Sequence, residues 1–128
     1  HNPAGMKALA AALPDYFRYR RLVLVLGIMA DKDYNAMLAA ILPLADALVL
    51  TRPQIDRAAD LETLAAAAGR CFNGPMLKEE DVGLALRKAL DLAGEEDAVL
   101  VTGSLYTVSE ARAAFLAGRA SRRHGFPS

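Results

Sequence analysis

Apolar residues follow two rhythms along this chain, and the rhythms alternate. Leu22-Val23-Leu24-Val25-Leu26, Ala47-Leu48-Val49-Leu50-Thr51 and Ala98-Val99-Leu100-Val101-Thr102 are short runs without a polar interruption until their ends. Such runs suit strands covered on both faces, the usual condition of a parallel sheet. Between them the period is helical. Met6, Leu9 and Leu13 predict a helix from about Pro3 to Leu13, which Pro14 should break or kink. Tyr34, Met37, Leu38 and Ile41 share one helical face, and Pro43 closes that pattern. Asp60 is placed to cap a helix carrying Leu61, Leu64, Ala65 and Ala68, with Gly69 just past its end. Val82, Ala85, Leu86 and Ala89 face inward on a helix from about Glu79 to Ala93. Thr107-Val108-Ser109-Glu110 reads as a capping box that opens a last helix, with Ala111 and Phe115 on its buried side. Arg70-Cys71-Phe72 is a weaker strand candidate, and 121–128 reads as a frayed tail.

The resulting α-β-α-β-α-β-α-β-α order predicts an α/β fold: a Rossmann-like three-layer sandwich, its sheet mostly parallel, with right-handed crossovers and helices on both faces. Ligands of such sheets bind beyond the carboxyl ends of the strands. Asp31-Lys32-Asp33, Thr51-Arg52-Pro53 and Thr102-Gly103-Ser104 each follow a strand and so fall on that edge.

Composition narrows the classes. The 128 residues fit one domain, and 54% hydrophobic against 23% charged residues describes a globular chain with a core. Fifteen basic and fifteen acidic side chains cancel, so nucleic acid and anionic membrane are not expected partners. No apolar run approaches the ~20 residues of a membrane span, and a cytoplasmic location is expected. The single cysteine, Cys71, reads as a small buried hydrophobe, and no Cys/His cluster has metal-ligand spacing.

A few residues carry possible chemistry. Asn2 and Pro3 form a helix start: Asn2 caps through its side-chain oxygen and Pro3 sits where no N–H is needed. His1 then stands beside exposed N–H groups, either at an ordinary helix end or at a phosphate or carboxylate site. Gly103-Ser104 is either a tight turn or a loop that lets backbone and hydroxyl approach an anion. Lys32 is either one member of a solvated charge cluster or a cationic handle for an anionic substrate. Arg57 offers the same choice more weakly, Tyr106 either packs under the Gly103 loop or lines a pocket, and His124 reads as exposed. No G-x-S-x-G elbow, P-loop or dinucleotide fingerprint is present, so the chain offers substrate contacts without a complete catalytic apparatus.

Several of these segments, in this order, carry a resemblance. His1-Asn2-Pro3-x-Gly5 with its alanine-leucine helix is similar to the second half of the D-x-A-H-N-P motif of the Mur ligase family. Gly27 through Asp31-Lys32-Asp33, Met37-Leu38 with Pro43-Leu44-Ala45-Asp46, Leu50-Thr51-Arg52-Pro53 with Arg57-Ala58, and Val101-Thr102-Gly103-Ser104-Leu105-Tyr106 with Ser109-Glu110-Ala111-Arg112 resemble its folate branch. Residues 1–120 thus resemble the glutamate-binding C-terminal domain of folylpolyglutamate synthase/dihydrofolate synthase, followed by the 121–128 tail. The resemblance implies a ligase dependent on ATP and Mg²⁺ that activates a dihydropteroate or folate carboxylate as an acyl phosphate. The amino group of L-glutamate then attacks it, as in folate biosynthesis and polyglutamylation. Catalytic His1 falls near the phosphates and incoming glutamate, with Asn2 beside the nucleotide. Ser104 and Lys32 fall in the glutamate pocket. The resemblance also implies a strand with the motif's aspartate directly before His1, central or near-central in the sheet. ATP and Mg²⁺ would be held mainly by other domains, so this segment alone is expected to be inactive and the full-length enzyme to be a monomer. A cell-wall Mur ligase and a non-catalytic Rossmann-like binding module are the alternatives.

Overall fold

The computed structural model describes residues 2–16 and 18–123. Its elements run α1 (Pro3–Tyr16), β1 (Leu22–Leu26), α2 (Tyr34–Ile41), a 3₁₀ turn (Leu42–Leu44), β2 (Ala47–Thr51), α3 (Leu61–Gly69), β3 (Met76–Glu79), α4 (Val82–Leu92), β4 (Ala98–Thr102) and α5 (Leu105–Arg123). The strands form one sheet in the order β3-β2-β1-β4, with every pair parallel. Leu24 of β1 lies opposite Leu48 on one side and Leu100 on the other. β1 pairs directly with β4, from Leu22 opposite Ala98 to Leu26 opposite Thr102.

Alternation along the strands divides the core by residue size. Leu22, Leu24, Leu26, Leu48 and Leu50 meet Met6 and Leu13 of α1, Met37, Leu38 and Ile41 of α2, and Leu61 and Leu64 of α3. Val23, Val25, Ala47 and Val49 point the other way, onto Ala85 and Ala89 of α4. Val82, Leu86 and Ala111 extend this second layer over Val99 and Val101 of β4. Large side chains on one face and small ones on the other let α4 approach the sheet closely. The three-layer sandwich follows from this two-sided burial.

Caps fix the helix starts. Asp33, Asp60 and Asp81 accept from the backbone N–H of Ala36 (3.1 Å), Thr63 (3.2 Å) and Leu84 (2.9 Å). The Asp81 cap starts α4 at Val82 rather than Glu79, which belongs to β3.

Other differences from the sequence reading have local causes. α1 continues to Tyr16, because Pro14 is exposed in the last turn and costs only one N–H bond there. Gly69 ends α3 instead of following it; Arg70, right-handed, takes the C-cap position and needs no left-handed glycine. The third strand is Met76–Glu79, not Arg70–Phe72. Arg70 and Cys71 lie in the turn that closes α3, donating to Ala67 and Ala68, so Cys71 is exposed rather than buried. Phe115 is 46% exposed. α5 meets the core through Ala111, and β4 is the last strand on that side among the described residues, so no strand lies beneath the later turns.

At the end of β3, Lys88 donates to Glu79 at 2.9 Å and the Asp81 N–H donates at 3.1 Å. The Lys88 hydrogen bond first, and the Asp81 N–H next, hold the Glu79 carboxyl below its ordinary value. Since the charged form is favoured on folding, the pair stabilises the fold above the ordinary carboxylate range. That contribution is lost as pH falls through the lowered folded value. Lys88→Met should raise the Glu79 titration, followed by carboxyl-carbon NMR, toward the ordinary value; an unmoved titration would show that Lys88 is not its cause.

Candidate functional site

Chain connections leave β1 toward β2 on one side, while β4 lies on the other, so the connections part at the carboxyl ends of β1 and β4. That divergence opens a crevice in a doubly wound sheet. A glycine follows each of these two strands. Gly27 follows β1 and donates to the Thr102 carbonyl at 3.3 Å. Gly103 follows β4 with φ +113°, and a Cβ there would press into the Gly27 backbone. The close approach of the two strand ends thus requires glycine at 103.

Ser104 comes next and is buried. Its Oγ accepts from the Thr107 N–H at 3.0 Å and lies 2.8 Å from Thr107 Oγ1. Thr107 Oγ1 in turn donates to the Gly27 carbonyl at 2.9 Å. With the Thr107 hydrogen committed to Gly27, Ser104 is the donor in the hydroxyl pair. Ser104 therefore caps α5 and, through Thr107, ties that cap to the end of β1. This corrects the start of the last helix, expected at Thr107: the cap is three residues earlier. Glu110, expected to complete that box, instead accepts from the Gln54 N–H at 2.8 Å and anchors the loop after β2.

The loops after β1 and β2 are laced together. Ala30 N–H donates to the Arg57 carbonyl and Ala59 N–H to the Ile28 carbonyl, both at 2.7 Å, around an antiparallel Met29–Ala58 bridge. The lacing brings Lys32 and Arg57 to one cleft with Ser104. Asn2 reaches it from α1, where its Oδ1 accepts from the Gly5 N–H at 2.8 Å, so the expected cap is present. Tyr106 lines the cleft rather than packing beneath the Gly103 loop. Its volume is about 260 Å³, a size for a small polar molecule. Of the acidic residues beside Lys32, Asp33 caps α2, and Asp31 stands 3.9 Å from Arg57.

Asn2, Lys32 and Ser104, singled out from the sequence, thus share one cleft, while His1 and His124 lie outside the described residues. The Thr107–Gly27 hydrogen bond and the Met29–Ala58 bridge were not foreseen. Serine is itself a preferred N-cap residue, so Ser104 before Leu105 carries the signal that the box three residues on masks. Among the described residues no group of three or more His, Cys, Asp or Glu could hold a metal ion, and the chain has no P-loop. No helix of the described residues is long and apolar enough to cross a membrane.

Known proteins share this sequence and fold. Residues 1–105 match the family model described as "Mur ligase, glutamate ligase domain". A dihydrofolate synthase/folylpolyglutamate synthase from Mycobacterium tuberculosis is 37% identical over 90% of this chain and 26% of its own length. A probable bifunctional folylpolyglutamate synthase/dihydropteroate synthase from Halobacterium salinarum is 41% identical over 88% of this chain and 14% of its own. The chain thus spans about a quarter or less of these curated relatives. Among solved structures, Mycobacterium tuberculosis folylpolyglutamate synthase complexed with ADP and AMPPCP superposes with TM-score 0.82 at 39% identity, over 90% of this chain and 28% of that one. The Escherichia coli FolC complex with ADP gives TM-score 0.84 at 28% identity, over 94% and 28%. With its parallel sheet, its switch-point cleft and these matches, the chain belongs to the Mur ligase family as a glutamate ligase domain.

Proposed function

We propose that this chain is the glutamate-handling C-terminal domain of an ATP-dependent folylpolyglutamate synthase/dihydrofolate synthase. The enzyme adds L-glutamate to dihydropteroate or to a (poly)glutamylated folate through an acyl phosphate. In the amide-forming step the amino nitrogen of glutamate bonds to the acyl carbon, phosphate leaves with the bonding pair, and the nitrogen loses a proton. One observation carries the reading: Lys32 and Ser104, from separate βα junctions, meet in a cleft of amino-acid size at the switch point.

Within that step this domain holds and orients the amino acid. Lys32 offers an ammonium to a carboxylate, and among the described residues it makes no ion pair that would compete. Ser104 offers a hydroxyl on a buried, fixed backbone. The H-N-P motif assigns His1 a role beside the reacting groups and Asn2 one near the nucleotide. ATP and Mg²⁺ belong to the remainder of a longer enzyme. Two complexed relatives support a nucleotide and a metal in the full enzyme: a Yersinia pestis bifunctional folylpolyglutamate synthase/dihydrofolate synthase carries AMPPNP and Mn ion, and Escherichia coli FolC carries DHPP and ADP. The same names favour folate over a cell-wall precursor as acceptor.

The test is expression of the complete reading frame with labelled L-glutamate, ATP, Mg²⁺ and either dihydropteroate or a reduced folate. The expected result is glutamyl amide formed one-for-one with ADP and phosphate, and none from residues 1–128 alone. Transfer only to a cell-wall precursor, or no ATP-dependent transfer, would overturn the assignment.

A further inference from the structure

We propose that Arg57 is a specificity-determining residue that reads the second carboxylate of the incoming amino acid, making the cleft selective for a dicarboxylate. The proposal rests on the ligase reading above and deepens it. L-Glutamate reacts through its amino group, so both carboxylates remain to be recognised. Lys32 supplies a single compact cation and matches one of them. The Ser104 hydroxyl is neutral and brings no second positive charge.

Among the described residues Arg57 is the second cation lining the same cleft, and no carboxylate side chain lines it. Its backbone is fixed where the two loops are laced: the Arg57 carbonyl accepts from the Ala30 N–H at 2.7 Å, next to the Met29–Ala58 bridge. The root of the side chain is therefore held on the same pair of loops as Lys32, while its end stands largely in solvent. The resting partner is Asp31, at 3.9 Å, with the two side chains 60% and 58% exposed. A long, solvated pair of this kind is weak. A ligand carboxylate in the cleft can replace it and take two parallel N–H bonds from the guanidinium fork, which an ammonium cannot supply.

The experiment compares L-glutamate with L-glutamine in the complete ligase; glutamine keeps the reacting amine and replaces one carboxylate by an amide of the same shape. In Arg57→Gln the KM for glutamate should rise roughly tenfold to a hundredfold, as for loss of hydrogen bonds to a charged group. The KM values for ATP and glutamine should hold, so the preference for glutamate over glutamine collapses. Arg57→Lys, which keeps the charge and loses the fork, should fall between. Asp31→Asn should not raise the glutamate KM; a rise would mark the Arg57–Asp31 pair as structural and overturn the proposal. So would equal losses for both amino acids, or an unchanged glutamate KM in Arg57→Gln. A wild-type enzyme that makes no amide from glutamate overturns the ligase reading itself, an outcome separate from these.

Discussion

Gly103→Ala is expected to destabilise the domain by about 3–5 kcal/mol, the upper end of what single substitutions do. Two effects add. At φ +113° an L-residue is strained whatever the space around it. The new methyl would also lie 3.0 Å from the Gly27 carbonyl carbon and 3.2 Å from its nitrogen, with the carbonyl oxygen nearer still. The Gly27 backbone has little room to withdraw. It donates to Thr102 at 3.3 Å and accepts from Thr107 at 2.9 Å, and a Cβ at Gly27 would itself meet the Thr51 carbonyl oxygen at 3.0 Å. Either the ends of β1 and β4 separate, opening the base of the cleft, or α5 shifts with its cap. Denaturant unfolding measures the outcome, and a midpoint within error of wild type would show that the strand ends are not held as tightly as described. Gly69, around whose Cβ position nothing lies within 4 Å, is the control: alanine there should be neutral or slightly stabilising.

Burial by itself made most of this fold readable. β1 and β2 coincide with two of the apolar runs, because a strand covered on both faces has no polar positions to blur its limits, and the half-buried β4 coincides with the third. β3 escaped for the opposite reason. Met76-Leu77-Lys78-Glu79 is an exposed edge, where side chains meet solvent and selection for apolar residues is relaxed. Asp33 and Asp60 were legible or nearly so as caps, since a carboxylate before an apolar period acts within its own turn. The site was legible only in part. Lys32, Asn2 and Ser104 could be placed at strand and helix ends, but the lacing of the loops after β1 and β2 is backbone bonding between residues about thirty apart and leaves no side-chain signature. Arg57 has only a weak local signal for that reason. Local rules could not show that its loop is held against the one that carries Lys32.

Ser104→Ala should act on two quantities at once, and their separation decides what Ser104 does. As the cap of α5, its loss leaves the Thr107 N–H without a partner and should cost about 1–2 kcal/mol of stability. As a ligand to glutamate, its loss in the complete enzyme should raise the glutamate KM roughly tenfold to a hundredfold. The hydroxyl network permits both roles. Ser104 now donates to a neutral acceptor, Thr107 Oγ1 at 2.8 Å; turning that hydrogen to a carboxylate trades it for a charged, stronger one. The cap is undisturbed, because Oγ still accepts from the Thr107 N–H. Thr107→Val is the discriminating partner. It orphans the buried Gly27 carbonyl, at a cost of about 1–3 kcal/mol, but keeps the N–H of the cap and releases the Ser104 hydrogen. Stability should therefore fall in both variants, while the glutamate KM should rise in Ser104→Ala and hold or fall in Thr107→Val. An unchanged glutamate KM in both would leave Ser104 a helix cap alone and remove it from the substrate.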